Sequence, residues 1–140
     1  KMGKTIGKLV RRKTVSGKLI GPYLFVVKSS RWDTYVLNTT SKKKTLHYIQ
    51  KKNMRIMKNL ILPVESKTFN DIVRRKQRII NHSVTTKYNE VFTKDFDVIK
   101  LVNAYGDYAY FKFVSAELKE DFETKKHYIR IYLGDLIYTD

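Results

Sequence analysis

The sequence predicts an α+β protein whose N-terminal part is a β-rich, strongly curved unit of the small-barrel kind. Three observations carry this. Short runs of β-branched and aromatic residues alternate with glycine-containing or polar turns up to residue 64, helical spacing takes over between residues 69 and 92, and extended segments return after residue 96. With 140 residues, 42% of them hydrophobic, the chain has the apolar material for a core and the length of one domain.

Residues 5–12 and 22–28 read as the first two strands, separated by the turn signals Ser16-Gly17 and Gly21-Pro22. The second is apolar on both faces, as a central strand would be. A short polar turn, Ser29 to Asp33, leads to a third strand at 34–38, and the three form a tightly connected antiparallel set. Residues 39–53 are polar and lysine-rich, a loop with a short strand at 46–49, and 54–64 is a further extended segment. Phe69, Ile72, Val73, Ile79 and Ile80 then fall near helical spacing, with Thr68 and Asp71 as an N-cap pattern and Asn81-His82-Ser83 as the stop. Thr85 ahead of Tyr88, Val91 and Phe92 marks a second, shorter helix. The last part reads as strand (96–103), strand (108–114), helix (115–126, capped by Ser115) and strand (128–133, with a short one at 136–138), a ββαβ elaboration.

Charge divides the chain unevenly. Residues 1–94 hold 23 Lys/Arg and 4 acids (net +19), whereas residues 95–140 hold 6 and 9 (net −3), which together give the overall +16. The expected organisation is a single domain, a basic barrel-plus-helices part over 1–95 and a mildly acidic elaboration over 96–140. The cations come in short runs: Arg11-Arg12-Lys13, Lys42-Lys43-Lys44, Lys51-Lys52 and Arg74-Arg75-Lys76 with Arg78. Apolar segments separate them, so they belong to a folded surface and make a polyanion the first partner to consider. A generally basic surface, or one attracted to acidic membranes or proteins, is the plainer alternative.

Much chemistry is excluded. No cysteine is present, so disulfides, thiolate metal sites and thiol nucleophiles are absent. His47, His82 and His127 are far apart and form no ligand motif, the early acids Asp33, Glu65, Asp71 and Glu90 are dispersed, and Glu117, Glu120, Asp121 and Glu123 read as a solvated helix face. No phosphate-binding glycine loop and no G-x-S-x-G elbow occurs. Neither a metal nor a cofactor is therefore expected. No apolar run approaches the ~18 residues of a membrane span, and no leader pattern opens the sequence. The expectation is a cytoplasmic protein without a membrane partner.

The stretch that concentrates functional groups is Asn38-Thr39-Thr40-Ser41-Lys42-Lys43-Lys44, at the exit of the third strand. Hydroxyls and backbone N–H groups orient phosphate, and lysines neutralise charge on a pentacovalent phosphorane. Such a set can cleave RNA without metal because the 2′-hydroxyl is the nucleophile. A polar, solvated hairpin loop accounts for the same residues. Tyr23, Trp32, Tyr35 and Tyr48 interleave with cations as a base-stacking platform would, and also fit half-buried strand positions.

Two segments carry a family resemblance: Gly17-Lys18-Leu19-Ile20-Gly21-Pro22-Tyr23-Leu24-Phe25-Val26-Val27 and Tyr35-Val36-Leu37-Asn38-Thr39-Thr40-Ser41-Lys42-Lys43. They resemble the glycine-containing loop and the Thr-Ser strand end of MazF/PemK-like endoribonuclease toxins, closest to the ToxN type of type III toxin–antitoxin systems, over about residues 5–95. The resemblance implies a small SH3-like antiparallel β-barrel with appended helices that cuts single-stranded RNA without metal. It implies Thr40 and Ser41 at the scissile phosphate, Lys42 or Lys43 as transition-state stabiliser and Lys18 as general acid or base. An antitoxin RNA or protein would be the cellular inhibitor. The family's arginine before proline is Gly21 here, leaving that cation to Lys18 or Arg31. A non-catalytic RNA- or DNA-binding protein of a phage, plasmid or virus is the second reading, with Arg11, Arg12, Arg31, Lys43, Lys44, Lys51, Lys52, Arg74, Arg75 and Lys76 as phosphate contacts in either case.

Overall fold

The computed structural model describes residues 7–32, 34–40 and 45–140. The chain forms two compact units, Lys1–Met57 and Lys58–Asp140. The division does not follow the charge shift near residue 95, because strands on both sides of that point are neighbours in one sheet.

Unit 1 is an antiparallel sheet of β1 (Leu9–Lys13), β2 (Leu19–Ser29), β3 (Thr34–Thr39), β4 (Leu46–Gln50) and β5 (Met54–Ile56), in the order β4-β3-β2-β1-β5. The apolar second strand is the central one. Val10, Leu24, Val26, Tyr35, Leu37, Ile49 and Met54 make its core. A single 3-10 turn, Lys51–Asn53, joins β4 to β5. The β1–β2 register is interrupted: Val10 faces Leu24 but Arg12 faces Ile20, so Gly21-Pro22-Tyr23 bulge opposite Arg11. Gly21 sits there at φ +75°, a left-handed conformation that glycine adopts freely.

Unit 2 runs β6 (Asn59–Pro63), α1 (Ser66–Arg74), β7 (Ile79–Ser83), α2 (Thr86–Thr93), β8 (Val98–Val102), β9 (Tyr108–Glu120) and β10 (His127–Thr139). Its sheet has the order β6-β8-β9-β10-β7, with β6 and β8 parallel and the other pairs antiparallel. Both helices bury one face against it, through Phe69 and Ile72 of α1 and Tyr88 and Val91 of α2. The Thr85 hydroxyl accepts from the Tyr88 N–H at 3.1 Å, the cap that the sequence indicates for α2.

Three expectations are corrected. Helix α1 starts at Ser66, with Thr68 inside it and Glu65 preceding it without a side-chain cap bond, and it stops at Arg74. Lys76 turns left-handed at φ +57°, after which Ile79 and Ile80 enter a strand whose burial alternates instead of continuing the helix. The helix expected over 115–126 does not form, so residues 96–140 are not ββαβ but a meander of β8, β9 and β10. The strong helix formers Ala116 to Glu120 are drawn into strand β9 because Ala116 and Leu118 meet the buried Ile131 and Ile129 of β10. Glu117 then pairs with Lys119 at 3.4 Å and accepts from the Tyr132 hydroxyl at 3.0 Å, holding its carboxyl below its usual range chiefly through the latter bond. Asp121 accepts from the Thr124 and Glu123 N–H groups to close the β9–β10 turn. Neither sheet closes into a barrel by hydrogen bonding.

Phe111 is 0% exposed at the centre of unit 2, so Phe111→Ala should cost about 3–5 kcal/mol of unfolding free energy in a denaturant titration.

Candidate nucleic-acid interface

Unit 1 holds 15 Lys/Arg and a single acid, Asp33, whereas unit 2 holds 14 and 12. Neutralisation within the unit is therefore open to unit 2 and nearly closed to unit 1. The ion pairs Lys58–Asp95, Arg75–Asp71, Lys87–Glu90 and Lys119–Glu117 all lie in unit 2.

The best-organised cation of unit 1 is Arg11. Its Nε and Nη2 donate to the Gly21 carbonyl at 3.1 and 2.9 Å, and its guanidinium lies 5.1 Å from the centre of the Tyr23 ring. The bulge creates this arrangement by pushing the Gly21 carbonyl and the Tyr23 ring toward the partner strand. A guanidinium thus stands beside Gly21-Pro22, supplied by Arg11 and not by Lys18 or Arg31. Arg55 stands directly opposite Arg11 on β5. Two like charges across an antiparallel pair repel, and an anion over them converts that repulsion into binding.

Thr39 ends β3 opposite Leu24, one residue from the bulge. Its hydroxyl accepts from the Thr45 N–H at 3.1 Å, and Thr40 follows at the loop entrance. Ser41, Lys42, Lys43 and Lys44 lie outside the described residues. Lys18 sits at the exposed β1–β2 tip, where its N–H donates to the Thr14 hydroxyl at 3.1 Å. Five residues of β2, three of them in the bulge, separate Lys18 from Leu24, which faces Thr39. Arg12 shares its face with Met54 and Ile20, on the side of Val10.

At the other end of the sheet, Arg31 and Trp32 form the β2–β3 turn. Gln50 is paired with Thr34, so the 3-10 turn that follows places Lys51 and Lys52 next to Trp32 around a depression of about 530 Å³. Trp32 is 87% exposed and held at φ +63°. Arg74, Arg75 and Lys76 are elsewhere, at the C-terminal end of α1 in unit 2. They complement the helix dipole there, and Arg75 lies 3.7 Å from Asp71.

Unit 2 carries an apolar cleft of about 760 Å³ whose walls include Ile61, Pro63, Ile80, His82, Tyr88 and Val102. Two of its polar side chains, Tyr88 and His82, bond within the fold. The Tyr88 hydroxyl donates to the Pro63 carbonyl at 2.6 Å, its ring stacks on His82 at 3.7 Å, and His82 Nδ1 is 2.8 Å from the Ser83 carbonyl. No cluster of His, Asp and Glu capable of holding a metal occurs among the described residues. No helix among them is long and apolar enough to cross a membrane.

No family model matches this chain, and no curated protein or solved structure shows significant similarity to it. The basic runs were legible in the sequence, but the bond from Arg11 to Gly21 and the grouping of Trp32 with Lys51 and Lys52 were not. A proline after glycine in a strand, facing an arginine, was the available signal for the first.

Two outcomes follow. Trp32→Asn should stabilise the protein by about 0.5–1 kcal/mol in thermal or chemical unfolding, since asparagine tolerates the left-handed conformation and little buried area is lost. Burial pushes the Tyr88 phenol up to about 12 from its ordinary 10.0. Its contribution to stability is therefore complete below pH 10 and is lost as pH rises toward about 12, because the unfolded chain releases that proton first. Tyr88→Phe should flatten this part of the pH–stability curve relative to the parent.

Proposed function

We propose that unit 1 is a small SH3-like barrel module that binds single-stranded RNA on its cationic surface. The barrel reading is supported by one connection: β4 and β5 are opposite edges of the sheet order, yet only the three residues Lys51–Asn53 join them. The sheet must therefore curl until its edges approach. The observation that carries the binding reading is the charge, 15 cations against one acid within 57 residues, with Arg11 already fixed by a carbonyl and a ring. A fixed guanidinium loses little entropy on meeting phosphate and presents paired donors to it.

A metal-independent endoribonuclease of a toxin–antitoxin or phage-defence system is the second reading, and one observation favours it. Arg11 occupies the place beside Gly21-Pro22 where the resemblance to MazF/PemK-like toxins calls for a cation, one residue in register from the end of β3. In that reading the 2′-oxygen of the ribose attacks phosphorus, the 5′-oxygen departs, and a 2′,3′-cyclic phosphate results. Arg11 with Lys42 would meet the charge on the phosphorane, and Thr40 with Ser41 would orient it. An antitoxin RNA would compete for the same cations.

Incubation of the full chain with labelled single-stranded RNA in EDTA separates the two. Binding should weaken steeply with salt, and Arg11→Gln should lower the slope of log K against log salt by about 0.7. Cyclic-phosphate fragments that vanish in the Ser41→Ala, Lys42→Ala double variant, with affinity kept within about tenfold, establish the nuclease. Intact RNA in a salt-sensitive complex establishes the binding module alone. Absence of a complex at low salt contradicts both.

A further inference from the structure

The β2–β3 turn presents a feature that the Arg11 site does not explain. A bulky residue at positive φ is strained, and such strain persists only where the surrounding structure holds it. Here it is Trp32, at φ +63° and 87% exposed, so its ring gains almost nothing from burial. The turn is closed around it: the Ser30 N–H donates to the Thr34 carbonyl at 2.7 Å, and the Thr34 N–H donates to the Arg31 carbonyl at 3.3 Å. Among the described residues, the adjoining depression is also lined by Gln50, Lys51 and Lys52. Its volume, about 530 Å³, is in the range of ligand pockets, and an indole is its aromatic wall.

We infer that this turn is a base-stacking subsite, in which one unpaired base of a single-stranded nucleic acid lies on the Trp32 ring while Lys51 and Lys52 meet the phosphates on either side of it. The inference rests on the reading of unit 1 as an RNA-binding module and adds a second contact point, at the end of the sheet away from the β1–β2 tip. An apolar protein partner fits poorly, because covering the ring would also desolvate the two ammonium groups beside it. A nucleotide supplies a flat π-face and an anion together, which is the combination the walls offer. Gln50 adds an amide that can donate to or accept from a base edge. Every base has a π-face, so the subsite is tolerant of sequence.

Trp32 is the only tryptophan of the chain, so its emission reports this site alone. The full chain is titrated at low salt with a single-stranded oligoadenylate of about eight nucleotides, within the ~4–16 nucleotide footprint of small barrel domains. Tryptophan quenching should saturate at the midpoint given by anisotropy of the labelled strand. Trp32→Phe should keep affinity within about threefold, and Trp32→Ala should lose about tenfold, inside the ~5–150-fold range of a lost base stack. Lys51→Gln with Lys52→Gln should lower the salt slope by about 1.4 and leave the saturated quench unchanged. Binding by anisotropy with no quench, and with Trp32→Ala at full affinity, overturns the subsite while the RNA-binding reading stands. No binding by any readout overturns that reading and the subsite with it. A blue shift of Trp32 with phosphatidylserine vesicles and no response to the oligonucleotide assigns the turn to a membrane surface instead.

Discussion

The fifteen cations of unit 1 have one acid among the same 57 residues to neutralise them, and this imbalance governs the unit. Nearly every positive side chain there must be hydrated, spread over a ring or carbonyl, or matched by an anion from outside. Arg11 shows the second solution. The bulge at Gly21 to Tyr23 spends ladder hydrogen bonds and a left-handed glycine to provide a carbonyl and an aromatic face for one guanidinium. Arg55 stands directly across the ladder. A surface built this way is poised for phosphate.

Unit 2 meets the opposite condition. With 14 cations and 12 acids it is close to balance, and its carboxylates are used locally in ion pairs and turns. Its organisation depends on apolar packing around Phe111 and on Tyr88, which reaches both edges of the sheet through the Pro63 carbonyl of β6 and the His82 ring of β7.

What could be read from the sequence was local. The apolar faces of residues 22–28 indicated a central strand, Thr85 indicated a helix start, and the early glycines marked turns, because each depends on neighbours a few residues away. What escaped depended on register. Residues 115–120 have helical composition, and only pairing with Ile129 and Ile131 makes them a strand. The Ile79-Ile80 pair fits helical spacing until Lys76 reverses the backbone. For the candidate site the cationic runs were plain, but which ones gather was not: Arg11 arrives at Gly21 from another strand, and Lys51 and Lys52 arrive beside Trp32 from the turn after β4. The break between Met57 and Lys58 falls inside the stretch 54–64 that reads as one extended segment, so no local turn signal marked it.

The account stands on the claim that the anion-binding surface belongs to the N-terminal sheet. An amide chemical-shift titration of the full chain with single-stranded RNA tests it most directly. Shifts concentrated at Arg11, Gly21, Tyr23, Trp32 and Lys51, with Phe111 and Tyr88 silent, are the result expected. Shifts confined to residues after Met57 would contradict it.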